Sequence, residues 1–520
     1  MSRTRVRVWI GGAALLAMTL ISYIPALSGG YVWDDDRLLT NNPNIRTLAG
    51  LVRTWTDPRA NTDYYPLTHS SWWLEYHLFG LNAFVFHLDN VLLHIGTGFV
   101  FWLLLRLLMV PGAWVAAAVF LVHPLHVESV AWVSERKNVL SGLLCLLAVW
   151  SFLRSALDES GPAIRRWTFS GLSLLFFVCA LLAKPVTMAA AAVLPLLIWW
   201  KRGRLTRGDA LAVVPYFAVA APMAALTIWV QYHHVGASGE SFDLSLPQRT
   251  ILAGRALLFY AGKLAWPQGL TFAYTKWALD ASLPRNYLYP AGAAVAVIAA
   301  AGATRRFGRG PLVAVCAFAL MLSPALGFVN IYWHRFYFVA DHICYLAGLS
   351  LIALAAATAA TCVTFFGPRG RQAAHSTAAI LVGVLGILTW RQGGIYKDAE
   401  TIWRDTLRKS PTSWLANINL GIVLARQGRD QEAIRQYMEA LRTYPDYDKA
   451  HNNLGILLMG QNRSEEATRH FQEALRINPD YTEARYNLAL ALEAMGLPEE
   501  ADRQYRQALG LAPRYAGRKA

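Results

Sequence analysis

The sequence predicts an all-α protein in two parts, a polytopic membrane domain of about eleven helices over residues 1–390 and a C-terminal α-solenoid over residues 391–520. Three observations predict it. Of 520 residues 55% are hydrophobic and 16% charged, with 19 Trp, 22 Tyr and a mean hydropathy of +0.31. That composition suits membrane-spanning helices with interfacial aromatics and excludes an ordinary soluble enzyme. Apolar runs recur as far as residue 390, with basic residues in every second connection, and beyond Arg391 the prolines Pro411, Pro445, Pro479 and Pro513 recur every 34 residues.

The first run, Val8 to about Leu27, follows Arg3, Arg5 and Arg7 and reads as a signal anchor, because many further spans come after it. Further runs lie at about 84–108, 112–122, 139–153, 168–183, 186–200, 209–230, 288–304, 311–328, 343–366 and 374–390, two of the eleven being short for a bilayer. With a cytoplasmic N-terminus, the inner loops carry Arg106, then Arg154, Arg165 and Arg166, then Lys201, Arg202, Arg204 and Arg207, then Arg305, Arg306 and Arg309, then Arg369 and Arg371. Each obeys the positive-inside rule. The outer loops are long at 29–83 and 231–287 and short around 123–138, 184–185 and 329–342. Eleven spans then put the repeats in the periplasm or the ER lumen, and the chain in a bacterial inner membrane or, in a eukaryote, the ER membrane. The stretch 250–287, with Arg255, Lys263 and Pro267 among its apolar positions, reads as an amphipathic helix at the outer interface.

The net charge of +15 would suggest nucleic acid in a soluble protein. From Lys397 onward, however, basic and acidic residues nearly cancel, so the excess belongs to the membrane part, where inner-loop cations account for it. The lipid bilayer is the expected partner and nucleic acid is not. Cys145, Cys179, Cys316, Cys344 and Cys362 stand at no metal-ligand spacing, which supports neither a disulfide framework nor a zinc site.

In the 34-residue frame come Leu420/Leu454/Leu488, Gly421/Gly455/Ala489, Ala433/Ala467/Ala501, Tyr437/Phe471/Tyr505 and Ala440/Ala474/Ala508. This resembles the tetratricopeptide repeat, whose small residues let paired helices pack closely. The repeats fall at about 412–445, 446–479 and 480–513, and Ala399, Trp403 and Leu407 mark a lone second helix ahead of them. Such a groove is expected to bind an extended peptide or a partner helix, in preference to merely packing on the membrane part.

Directly after the first run stands Tyr31-Val32-Trp33-Asp34-Asp35-Asp36-Arg37. Crowded carboxylates near a membrane raise one another's affinity for protons. A cluster of this kind is kept to bind a cation or to act as a base, and a solvated helix cap is the lesser reading. The loop continues with Asp63-Tyr64-Tyr65-Pro66-Leu67-Thr68-His69 and Trp72-Trp73, which suit interfacial anchoring first and sugar stacking second. In His123-Pro124-Leu125-His126-Val127-Glu128, the proline and the i, i+3 spacing do not give the His-Glu-x-x-His geometry, so a zinc protease is a minor candidate. Arg136 and Lys137 lie at the outer end of a span, and are better explained as binding the phosphate of a lipid-linked substrate. Lys184 and Arg335, the latter close to Asp341-His342, fit the same role. For each alone snorkelling explains as much, and their collection on one face carries the weight.

Together, Asp34-Asp35 after the first span, Tyr65-Pro66-Leu67-Thr68, Gly80-Leu81-Asn82 with His87, Asn90 and His94, the His123–Glu128 stretch, Leu182-Ala183-Lys184 and the repeats resemble the transmembrane and tetratricopeptide-repeat O-mannosyltransferases, in a bacterial-type form. These are C-type membrane glycosyltransferases, and the resemblance covers nearly the whole chain. It implies an inverting enzyme that moves a sugar, with mannose the candidate, from a polyprenyl-phosphate donor to a protein hydroxyl on the non-cytoplasmic side, the repeats binding acceptor or partner. It carries the catalytic base onto Asp34 or Asp35, with Arg136, Lys137, Lys184 and Arg335 for the donor phosphate and His123, His126, Glu128 and His342 in support. No nucleotide or other cofactor is required, because phosphate leaves readily once cations stabilise it, and a divalent cation on Asp34, Asp35 and Asp36 is left open. Ser134-Glu135-Arg136-Lys137-Asn138 departs from the family's usual Gly-Arg-Ala-Asp, and His342 replaces an Arg of the eukaryotic members, so mannose and cadherin-like acceptors are not carried over. The competing readings are a ligase or polymerase acting on lipid-linked oligosaccharide, and a non-enzymatic membrane scaffold presenting the repeats.

Overall fold

A computed structural model describes residues 3–158, 161–239 and 242–511. It is helical, with no strand among the described residues, and separates into a unit of residues 1–272 and 276–398 and a unit of residues 273–275 and 399–520.

In the first unit all eleven apolar runs are helical, but eight helices are long and apolar enough to cross a bilayer: Val8–Leu27, Ala83–Leu107, Val133–Ala156, Ala163–Ala183, Arg207–Val235, Pro284–Phe307, Asp341–Val363 and Pro368–Lys397. A ninth span exists if Ala113–Leu121 and Pro124–Ala131, which meet at 51°, are one broken crossing. By length and composition alone the helices thus supply eight or nine crossings where eleven were expected. The runs at 112–122, 186–200 and 311–328 form the helices Ala113–Leu121, Ala190–Arg202 and Gly310–Leu322, of 9, 13 and 13 residues. Thirteen residues rise only about 20 Å against about 30 Å of hydrocarbon. Ala113–Leu121 and Gly310–Leu322 are followed by short 3₁₀ turns carrying Pro124 and Pro324, and Ala190–Arg202 is preceded by one opened by Pro185; a proline lacks the N–H that would carry an α-helical ladder through the turn. The helix Leu246–Ala265 is not among the candidate spans.

Close approach holds the bundle together. A Cβ on Gly98 would meet Leu121 at 2.5 Å and one on Gly142 would meet Tyr345 at 2.7 Å, so these helices touch where they cross. Buried polar groups are paired across elements as well: His94 Nδ1 lies 2.9 Å from the Tyr345 hydroxyl, and the Thr389 hydroxyl donates to Val122 O at 2.7 Å.

The segment 29–83 is a folded layer. Thr47 caps the helix Leu48–Thr56 by accepting from Gly50 N, and Pro66 opens the helix Pro66–Phe79, which ends at Gly80 with φ +63. Its core is Leu38, Leu39, Ile45 and Trp72 against Phe86 and Val133. Trp72, expected as an interfacial anchor, is 1% exposed and fills this core, while the Trp73 indole donates to Thr47 O at 3.0 Å. A layer sewn to two spans in this way holds whatever side chains it carries in fixed positions.

In the second unit the lone helix Ala399–Lys409 precedes three pairs, Trp414–Arg426 with Asp430–Thr443, Asp448–Gly460 with Ser464–Ile477, and Thr482–Ala494 with Pro498–Leu511. The repeat logic is visible in contact. A Cβ on Gly421 would lie 2.6 Å from Tyr437, and one on Gly455 would lie 2.6 Å from Phe471. Pro513 lies outside the described residues.

Candidate active site

The three adjacent acids after the first span are sorted by a single turn. Trp33 has φ +47, a left-handed conformation rare for a bulky residue, and from it Asp35 N and Asp36 N bond back to Val32 O and Trp33 O at 3.1 and 3.2 Å. Asp35 is thereby turned inward and fully buried. Its Oδ2 accepts from Val32 N at 2.8 Å, and its Oδ1 accepts from Ser134 N at 2.8 Å and from the Ser134 hydroxyl. Burial pushes its carboxyl up to about 7 despite those three donors, and the charge of Asp34 adds to the rise. Asp34 faces the other way, 30% exposed and 3.7 Å from Arg37. Asp36 begins the helical turn Asp36–Thr40.

A second group of charged side chains is built on Glu135. Its two oxygens take Lys137 at 2.9 Å and Lys184 at 3.1 Å, and His342 Nε2 is 4.0 Å away. Lys184 also donates to Asn138 Oδ1 at 2.7 Å, and burial lowers its pKa while Glu135 opposes the shift. His342 is oriented by Glu128, which accepts from its Nδ1 at 2.9 Å and its backbone N at 3.0 Å. Lys137 and Lys184 thus share a single glutamate as their ion-pair partner, with His342 beside it.

Asp63, which the sequence placed only among aromatics, belongs to the same centre. Burial raises its carboxyl, the charges of Lys137, Arg37 and Lys184 pull it down and Asp34 pushes it up, so all of these act at close range. Gln231 Nε2 donates to its Oδ1 at 2.9 Å. Tyr337 borders it too: burial, then Glu128, Asp34 and Glu135, raise its hydroxyl pKa. The legible signal for Asp63 is its place two residues before Tyr65-Pro66, where a proline-started helix fixes the preceding chain.

Four of the expected site residues are elsewhere. Arg136 is fully buried, next to Lys137 in sequence but turned about 100° away on the helix. It pairs with Glu75 at 3.0 Å and Asp89 at 2.7 Å, and donates to Asn90 Oδ1 and, at 3.0 Å, to Phe86 O. Its guanidinium is thus engaged by that network and is not part of the Glu135 pair set. Burial pushes the Glu75 carboxyl up to about 7, with Arg136 opposing and Asp89 adding. Arg335, on the turn Tyr332–Arg335, lies beside Lys276, whose Nζ is 3.4 Å from Arg335 O, and makes no ion pair with Glu135. His123 caps its turn by accepting from Leu125 N at 3.2 Å, with Nε2 3.0 Å from Leu264 O. His126 is buried among His94, Phe120 and Tyr345, with no hydrogen-bond partner for either ring nitrogen among the described residues. Of that stretch only Glu128 reaches the centre. Among the described residues no three His, Cys, Asp or Glu side chains converge as a metal-binding group.

What the arrangement offers is a partly exposed carboxylate, Asp34, within the field of Lys137, and a second lysine, Lys184, that shares Glu135 with it. Tetratricopeptide repeat models match residues 410–480 and 458–517. Over 486 residues the chain is 26% identical to protein O-mannosyl-transferase TMTC1 of Homo sapiens, covering 83% of this chain and 55% of the relative. It is 24% identical over 492 residues to human TMTC4, covering 81% and 64%, and 35% identical over 195 residues to TMTC1 of Mus musculus, covering 34% and 20%. The chain spans about half or less of the length of the first curated relatives it matches. A crystal structure of MamA is 23% identical with a TM-score of 0.22, covering 25% of this chain and 77% of that one.

Proposed function

We propose that this multi-pass membrane homologue of the protein O-mannosyl-transferases transfers a sugar, with mannose the candidate, from a polyprenyl-phosphate donor to a hydroxyl of a protein acceptor. The observation that carries the proposal is Asp34 acting on Lys137, which shares Glu135 with Lys184. In this scheme Asp34 takes the proton of the acceptor hydroxyl as its oxygen attacks the anomeric carbon. The bond from that carbon to the phosphate oxygen breaks, the electron pair leaves with the lipid phosphate, and attack from the opposite side inverts the anomeric centre. Lys137 and Lys184, which share Glu135, hold the charge that develops on the phosphate. The lysines do what a divalent cation would otherwise do, so the scheme asks for no metal.

The acceptor is a protein by analogy with the names of the relatives, and the repeats are the surface suited to hold it. The site faces the non-cytoplasmic side if the basic connections are inner. The spans Ala83–Leu107 and Val133–Ala156 both end at such connections, at Arg106 and Arg154, so the chain must cross between them through the broken pair 113–131. The same argument requires crossings at 185–202 and 310–325, each short helix completed by its proline turn. Reporter fusions at residues 205 and 400 are expected to be cytoplasmic and non-cytoplasmic respectively. Cytoplasmic activity at 400 would remove the repeats from the compartment of the site.

The direct test is the full-length chain in detergent or liposomes with a polyprenyl-phosphate hexose and a Ser/Thr peptide. Glycosylated peptide should appear with an equal amount of freed polyprenyl phosphate, chelation should leave the rate unchanged, and Lys137→Gln should slow transfer at least about tenfold through lost charge on the leaving group. Turnover only of a lipid-pyrophosphate oligosaccharide would favour the ligase reading instead.

A further inference from the structure

We infer that Ser134, together with the Trp33–Trp132 stack, is a positioning element that fixes the distance between Asp34 and the lysine centre. This rests on Asp34 as the base. The two residues flanking Asp34 are each tied to the segment that leads into Glu135. On one side the Trp33 and Trp132 rings stack at 5.8 Å and 12°, with Phe272 edge-on to both at 5.3 and 4.9 Å. On the other, Asp35 accepts from both Ser134 N and the Ser134 hydroxyl. The ties join residues 33 and 35 to residues 132 and 134, with Asp34 between them.

The partner segment continues directly into the site. Glu135 and Lys137 follow Ser134 within one turn, and Lys137 Nζ lies 5.5 Å from the Trp132 ring. Asp34 and Lys137 are thus hung from one pair of contacts, and Lys184 is linked to them through Glu135. The left-handed Trp33 supports this reading, since a bulky residue keeps that conformation only where its surroundings enforce it.

The clasp is strongest with an ionised Asp35. Two backbone N–H groups and the Ser134 hydroxyl donate to that carboxylate, and a proton on it would make the hydroxyl turn to accept or face a donor, and would weaken the two N–H bonds, which are stronger to a charged oxygen. Its carboxyl stands at about 7, above the usual aspartate value, so the clasped form is present above neutral pH and is lost as pH falls through that value. The groups acting on it are Asp34 and Tyr31 on its own loop and Ser134 from the facing segment; the nearest charges of that segment, Glu135 and Lys137, are paired with each other.

The test is transfer by the full-length chain as a function of pH for the wild type, Ser134→Ala, Ser134→Thr, Trp132→Phe and Asp34→Asn. Ser134→Ala should lower kcat with KM for the lipid donor unchanged, and should move the acidic limb of the profile up by about one pH unit, the worth of a hydrogen bond to a charged group. Ser134→Thr, which keeps the hydroxyl, should leave the limb in place. Trp132→Phe should lower kcat without moving the limb. A Ser134→Ala profile with the wild-type limb, at any rate, overturns the clasp. Should Asp34→Asn keep the wild-type rate, the base assignment fails instead, so the two failures are distinguishable.

Discussion

Asp34→Asn is expected to lower transfer by a factor of about 10² to 10⁴, the usual effect of losing a general base, while KM for the lipid donor changes little. In the proposed scheme the donor phosphate is held by Lys137 and Lys184, and neither depends on Asp34 for its place, since both are bonded to Glu135. Asp35→Asn should behave differently. An amide would present its own N–H₂ toward the donors of Ser134 or Val32, leaving a buried group unsatisfied, so folded yield in detergent should fall along with rate. Asp63 is the control, because it shares the lysine field. If Asp34→Asn keeps its rate and Asp63→Asn loses it, the base is Asp63.

The second large effect is on stability. Arg136→Met should destabilise the membrane unit by about 3–5 kcal/mol, since breaking a buried ion pair by removing one partner leaves charge uncompensated. Glu75 is mostly buried, but the Asp89 side chain is 40% exposed and water screens its share, so the lower end of that range is expected. Thermal unfolding of the solubilised chain measures it. The double change Arg136→Met with Glu75→Gln should recover part of the loss by removing the stranded carboxylate. If Arg136→Met instead melts as the wild type does and only weakens donor binding, its guanidinium serves the phosphate and the network with Glu75 and Asp89 is incidental.

The periodic features of the chain were legible because periodicity is local. Each apolar run is a helix, and the pairs Gly421/Tyr437 and Gly455/Phe471, recognised only as repeating positions, are in contact. The span count was less legible, since a run such as 186–200 looks long enough until Pro185 and its 3₁₀ turn shorten the helix. The site was half legible for a related reason. Sequence adjacency pooled Arg136 with Lys137 and Asp34 with Asp35, but one step along a helix turns a side chain by about 100°, and one left-handed residue at Trp33 sends neighbouring acids to opposite sides. The partner that buries Asp35 is Ser134, 99 residues away. No local pattern announces it. Trp72 shows the same limit: its aromatic surroundings suggested the membrane interface, and only the folded layer reveals the core it fills.

The central claim is that this chain adds a sugar to protein by way of Asp34. The measurement that tests it most directly is intact-mass comparison of exported or secretory proteins from cells carrying the wild-type chain, no copy, or Asp34→Asn at equal abundance. One or more hexose increments are expected on particular proteins in the wild type, and none in the other two. The same increments in cells carrying Asp34→Asn, or in cells with no copy, would contradict it.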